Sequence, residues 1–118
     1  MKEVMAIIQM NRMEATKDAL DVIGIPSITA YKVSGRGKQR GLQIPHPSKI
    51  EGSEQRSMKY IPKRMISIMV EDEFVPAVVA VITKVNRTGS FGDGRIFVCP
   101  VVESIRIRTG ERGGEAIS

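Results

Sequence analysis

Apolar residues first gather in Glu3-Val4-Met5-Ala6-Ile7-Ile8, a short and partly β-branched run that predicts a buried strand. Asn11 followed by Glu14 has the spacing of a capping box. Thr16, Ala19, Leu20 and Ile23 then recur at helical spacing, with Gly24 as the C′ residue and Pro26 preventing continuation. Ser27 to Val33 alternates apolar and polar β-formers and predicts a second strand. A third strand is expected at Ile66 to Val70. Asp72 and Glu73 open a second helix whose stripe is Val75, Val78, Val79 and Ile82, with Pro76 tolerated in its first turn. Arg95 to Cys99 is a fourth strand, and Pro100, which lacks a ladder donor, puts it at a sheet edge or ends it there. The tail from Glu103 to Ser118 reads as frayed.

The order is βαβ-βαβ with a long excursion between the second and third strands. With right-handed crossovers it gives a four-stranded antiparallel sheet with helices on one face, the ferredoxin-like α+β fold. Ile, Val and Met in both strand parities leave an apolar bare face, which predicts an oligomer. The excursion, Ser34 to about Lys59, holds four glycines and two prolines with little periodicity, and loops of that length are usually functional.

Composition narrows the class. At 118 residues, 42% hydrophobic and 26% charged, the chain is expected to be one globular domain, 1–118. The single Cys99 leaves no disulfide framework or cysteine-rich zinc site. No apolar run approaches the roughly 20 residues that span a bilayer, and Met1 opens on a strand-like pattern. A cytoplasmic protein without membrane insertion is the expectation.

Charge changes the picture only locally. The net charge is +5, and Arg36, Lys38, Arg40, Lys49, Arg56, Lys59, Lys63 and Arg64 stand against Glu51 and Glu54 in one segment. Aromatics are 4% of the chain, too few for base-stacking platforms, so phosphates or small anions suit this segment better than nucleic acid.

Candidate chemistry sits in two glycine-rich turns, Gly35-Arg36-Gly37-Lys38-Gln39-Arg40-Gly41 and Gly89 to Gly94. Small residues let backbone N–H groups approach an anion while Lys38, Arg40 and Arg95 supply charge. Neither turn is a Walker A motif, and each taken singly is more often just a turn. Joined by Arg106 and Arg108, two apart on an extended segment, they describe a polyphosphate site. Catalytic groupings are thin. His46 lies between two prolines, Cys99 is a packing residue, and Asp72 and Asp93 lack an acid–base partner, so a binding protein rather than an enzyme is expected.

Thr88-Gly-Ser-Phe-Gly-Asp-Gly-Arg-Ile-Phe-Val98 followed by Ile105-Arg-Ile-Arg-Thr-Gly-Glu111 resembles the C-terminal signature of PII nitrogen-regulatory proteins. Met1-Lys2 to Ile7-Ile8, Val33 to Gly41 and Ile61-Pro62-Lys63 are similar to the same family in order. The resemblance implies a homotrimer with nucleotide sites between subunits, where ATP and ADP compete and 2-oxoglutarate joins ATP with Mg²⁺. It implies an adenine pocket at Thr29 and Met69. Phosphates would meet Gly35, Gly37, Lys38, Gly92-Asp93-Gly94, Arg95, and Arg106 and Arg108 from across the boundary. Gln39 would ligate Mg²⁺, and Gln39, Arg40, Gly41 and Lys63 would hold 2-oxoglutarate. Residues 37–59 correspond to the family's effector arm (the T-loop) and 103–118 to its C-terminal loop.

The departures are specific. Arg36 and Lys38 stand where the family has an aromatic and an arginine, and lysine meets phosphate as a point charge rather than a fork. Gln9 replaces a frequent Lys or Arg. No tyrosine lies between Leu42 and Lys59, which argues against uridylylation, and Ser48, Ser53 and Ser57 remain as hydroxyls. The Gly-Arg-Gly-Lys-Gln-Arg-Gly segment and divergent arm are most similar to the nitrogenase-associated PII-like proteins. That implies control of nitrogenase by direct contact, as a homotrimer or mixed with a paired PII-like subunit. The alternative is inhibition of an ammonium transporter, with Arg56 as the plugging residue.

Overall fold

The computed structural model describes residues 1–36 and 60–118. The expectations placed on Gly37, Lys38, Gln39, Arg40, Gly41, His46 and the rest of 37–59 lie outside the described residues. Strand β1 (Lys2–Gln9) is followed by a 3₁₀ turn (Met10–Arg12), helix α1 (Met13–Val22) and β2 (Thr29–Gly35). Then come β3 (Ile61–Val70), a 3₁₀ turn (Asp72–Phe74), α2 (Val75–Asn86), β4 (Arg95–Pro100) and the one-turn α3 (Gly114–Ile117). The strands form one antiparallel sheet in the order β2-β3-β1-β4, which is the ferredoxin-like arrangement.

Alternation along β1 decides the two faces. Val4, Ala6 and Ile8 are buried with Ile66, Ile68 and Val70 of β3 under Leu20, Val78 and Ile82 of the helices. Each fully buried Ile or Leu contributes about 1.5–3 kcal/mol relative to exposure, so this layer fixes the register. The odd positions face away. In register across the open face run Tyr31–Met65–Ile7–Arg95 and Thr29–Ser67–Met5–Phe97, and Tyr31 and Phe97 remain about half exposed. A polar contact lies within this apolar field, where the Ser67 hydroxyl donates to Glu3 Oε2 at 2.6 Å.

Several boundaries differ from expectation. The Asn11–Glu14 capping box does not form. Residues 10–12 take a 3₁₀ turn, and Arg12 precedes α1 with no side-chain cap. Asp72 and Glu73 likewise belong to a 3₁₀ turn, so α2 begins at Val75 with proline at its start. Gly24 does close α1. At φ 89° its N–H reaches Asp21 O (3.0 Å) while the Ile25 N–H reaches Leu20 O (2.9 Å), a Schellman pair. Strand β2 is displaced two residues toward the C-terminus, and β3 starts at Ile61 rather than Ile66, because Ile61 to Met65 pair with Gly35 to Tyr31. Strand β4 is an edge and ends at Pro100.

The tail is ordered, contrary to the expectation of fraying. Ile105 bridges Arg112, the Arg106 N–H donates to Glu111 O (2.8 Å), and the Gly113 N–H donates to Ser104 O (3.0 Å). Among the described residues no helix is long and apolar enough to cross a membrane.

Candidate functional site

The turn 87–94 is organised by its own acid. The Asp93 carboxylate accepts the Thr88 N–H (2.6 Å), the Thr88 hydroxyl (2.5 Å) and the Gly89 N–H (2.8 Å). The Thr88 hydroxyl and then its N–H hold the Asp93 carboxyl below its usual value. Asp93 is therefore spent on shaping the turn. Gly94 closes it at φ 117°, where a Cβ would lie 2.0 Å from the Ile7 carbonyl oxygen. Only glycine brings β4 into register beside β1 there.

The turn is tied down at Gly92. Gln9 and Lys63 pair across β1 and β3, and their side chains both donate to the Gly92 carbonyl, at 3.0 and 2.9 Å. Lys63 is 8% exposed, and burial lowers its pKa while the Asp93 charge opposes that shift. Among the described residues the Lys63 ammonium has the Gly92 carbonyl as its acceptor, and an ammonium with protons to spare is a ready carboxylate partner. Arg95 begins β4 on the same open face, opposite Ile7. Behind the turn, a cleft of about 380 Å³ runs from Asp93, Gly94 and Arg95 to Thr83 and Asn86 on the helix side, so it shares the end of the turn with this cluster.

The residues expected to form one site fall into two groups at opposite ends of the sheet. Gly35, Lys63, Gly92, Asp93, Gly94 and Arg95 lie at the Gln9 end of β1. Thr29 pairs with Ser67, and Met69 with Glu3, toward the Lys2 end. Four residues of strand separate Ser67 from Lys63, roughly 13 Å. Arg106 and Arg108 belong to the tail that leaves β4 at the Lys2 end, where Gly114 abuts the Glu71 carboxylate. Arg108 is exposed and has no ion-pair partner among the described residues. Arg106 is turned onto its own tail, donating to Glu111 Oε1 (2.5 Å), Glu115 O (2.7 Å) and Ser118 O (3.0 Å).

The family profile described as "Nitrogen regulatory protein P-II" matches residues 1–111. The chain belongs to the P-II family of nitrogen-regulatory proteins. Among its P-II relatives, the "Nitrogen fixation nifHD region GlnB-like protein 2" of Methanothermococcus thermolithotrophicus is 56% identical, over 99% of this chain and 98% of its own. The "Nitrogen regulatory protein P-II" of Azospirillum brasilense is 40% identical, over 99% of this chain and all of its own. The solved structure of Arabidopsis thaliana PII bound to citrate superposes with a TM-score of 0.77 at 33% identity, covering 99% of this chain and 89% of that one.

Two participants in this P-II chain's cluster escaped sequence reasoning. Gln9 was notable only as a missing cation, yet its amide holds Gly92. Its cross-strand pairing with Lys63 was the available signal, and it required β3 to begin before Ile66. Glu111 was read as part of a motif, and its role as the partner of Arg106 depends on a turn that the glycines had concealed.

Proposed function

We infer that this P-II protein senses ATP against ADP, and 2-oxoglutarate, in clefts between subunits of a trimer. It reports the result through residues 37–59 to a target protein in the cytoplasm, by direct contact, with nitrogenase as the preferred target. It does so as a signal protein rather than an enzyme, built as a single domain.

The observation that carries this reading is the division of the anion-binding groups between the two ends of one sheet. Gly92 is held at the Gln9 end of β1, whereas the tail that carries Arg108 leaves β4 at the Lys2 end. A second copy packed on the open face brings the Lys2 end of one subunit toward the Gln9 end of its neighbour. The apolar field of Met5, Ile7, Tyr31, Met65 and Phe97 supplies the reason to pack. Lys63, buried and already held by one carbonyl, suits a dicarboxylate. The Arabidopsis relative's citrate, a tricarboxylate, and this family's implied 2-oxoglutarate, a dicarboxylate, share the carboxylate group that such an ammonium would bind. The nif-region names of the archaeal relatives favour nitrogenase as target over an ammonium transporter.

Among the described residues no group of three or more His, Cys, Asp or Glu side chains is placed to hold a metal. Gln39, which lies outside the described residues, would be the protein donor to a Mg²⁺ otherwise carried by the oxygens of its ligands, as suits a hard cation. When bound, the ion neutralises phosphate charge and orients the dicarboxylate.

Calorimetric titration with Mg-ATP, alone and with 2-oxoglutarate, tests the reading. Saturable ATP binding that 2-oxoglutarate tightens is the expected result, and the coupling is reciprocal. In Lys63→Met the ATP isotherm persists while the 2-oxoglutarate effect disappears. Absence of nucleotide binding by the wild-type chain overturns the reading.

A further inference from the structure

Arg106 is the cation whose surroundings differ most from those of an open phosphate site. A guanidinium offers five N–H bonds in a rigid plane, and it grips an oxyanion with a pair of neighbouring donors. One such fork uses Nη1 with Nη2 and the other uses Nε with Nη2. Nη2 carries two protons, and both are taken, by the Glu115 and Ser118 oxygens at 2.7 and 3.0 Å. Nη1 gives one of its own to Glu111 Oε1 at 2.5 Å. Neither fork is left whole. What remains is Nε–H and one Nη1 proton on different sides of the group.

The occupant is held in place on several sides. Glu111 Oε1 also accepts the Thr109 hydroxyl (2.8 Å), and the Glu111 N–H returns to Thr109 Oγ1 (3.2 Å). The Ser104 hydroxyl donates to Gly113 O (3.1 Å), which pins the start of the final turn. Arg106 and Glu111 are 28% and 38% exposed, so the pair is only partly screened by water. Arg108, two residues on, is exposed and has no such occupant among the described residues.

We propose that residues 111–118 are an internal occupant of Arg106, an autoinhibitory contact that a polyphosphate must displace before Arg106 can grip it. The proposal rests on the reading above that Arg106 meets nucleotide phosphates. The displaced partners are the Glu111 carboxylate and the main-chain oxygens of Glu115 and Ser118. A ligand with a single phosphate competes with Glu111 on nearly equal terms, whereas two or more phosphates bring excess charge. The contact thus selects polyphosphates, and its release loosens the last turn of the chain.

Glu111→Gln keeps the shape of the tail and removes the charge. Mg-ATP is expected to bind this variant about two- to ten-fold more tightly than the wild type. A purely structural role for Glu111 predicts the opposite direction. In the wild type, amide hydrogen exchange at residues 113–118 should rise when Mg-ATP or inorganic tripolyphosphate is added, and not with orthophosphate. Equal or weaker ATP binding by Glu111→Gln, or an unchanged tail on adding tripolyphosphate, overturns the proposal. Tail release by tripolyphosphate without any Mg-ATP binding would support the internal contact while sinking the nucleotide reading. The two failures are therefore separable.

Discussion

Asn86 near the end of α2 donates its Nδ2 to the Thr16 hydroxyl on α1 at 3.0 Å, inside a helix layer that is otherwise apolar at its centre. The same nitrogen donates to Ile82 O (2.9 Å), and Thr16 passes its own proton to Arg12 O (2.7 Å). Asn86 Oδ1 is buried without a hydrogen-bond partner among the described residues.

That imbalance has a measurable consequence. Thr16→Val takes away one acceptor and should cost about 1–2 kcal/mol in a denaturant titration. Replacing both residues, Thr16→Val with Asn86→Leu, removes the orphaned oxygen as well. The double variant should then be at least as stable as the wild type. A double variant worse than the sum of the single ones would refute this view of the pair.

Gly94→Ala is expected to destabilise the chain by about 3 kcal/mol or more. The positive φ disfavours a side chain, and the methyl has nowhere to go but into the Ile7 carbonyl. Chemical denaturation gives the stability. A cost near zero would mean that β4 can shift away from β1.

The turn 87–94 should respond to acid through Asp93. Its folded-state pKa lies below the ordinary 3.8, so the stability it confers is present above that value and is lost as pH falls through the folded pKa. Protection of the Thr88 and Gly89 amides from exchange should therefore hold down to pH 3.8 and drop below it. Asp93→Asn should show weakened protection already at neutral pH. Equal protection in the two proteins would assign the turn's rigidity elsewhere.

Phe97→Glu places a charge on the open face beside Met5 while touching nothing in the helix-side core. Light scattering should report a particle of about one-third the wild-type mass, with unchanged far-ultraviolet circular dichroism. An unaltered assembly would move the subunit contact off this face.

How far the sequence carried the reading depended on where periodicity was clean. Strand β1 was legible as a continuous apolar run from Val4 to Ile8, but the division of that run into a buried and an open face shows only in the structure. Strand β3 was legible only from Ile66 onward, because Lys63 and Arg64 look like loop residues until their partners on β1 and β2 are known. The capping box at Asn11 was a sound local expectation, overridden when the chain tightened into a 3₁₀ turn on entering α1. In the site, the glycine pattern of 89–94 located the turn, while its fastening by Gln9 and Lys63 depends on a contact 83 residues apart in one case and 29 in the other. The tail misled for the same kind of reason. Gly110, Gly113 and Gly114 read as looseness, but the first two take positive φ values that fold the segment back on Ser104 and Arg106.

Gly35 and Ile61 form the last rung of the β2–β3 ladder, so the chain between them leaves and re-enters the sheet at a fixed doorway. Once the doorway is set by strand pairing, lengthening the intervening chain is thermodynamically cheap, about 0.6 kcal/mol for a doubling. The stretch between the doorposts can change in length without disturbing the strand pairing that holds Lys63 beside Gly92.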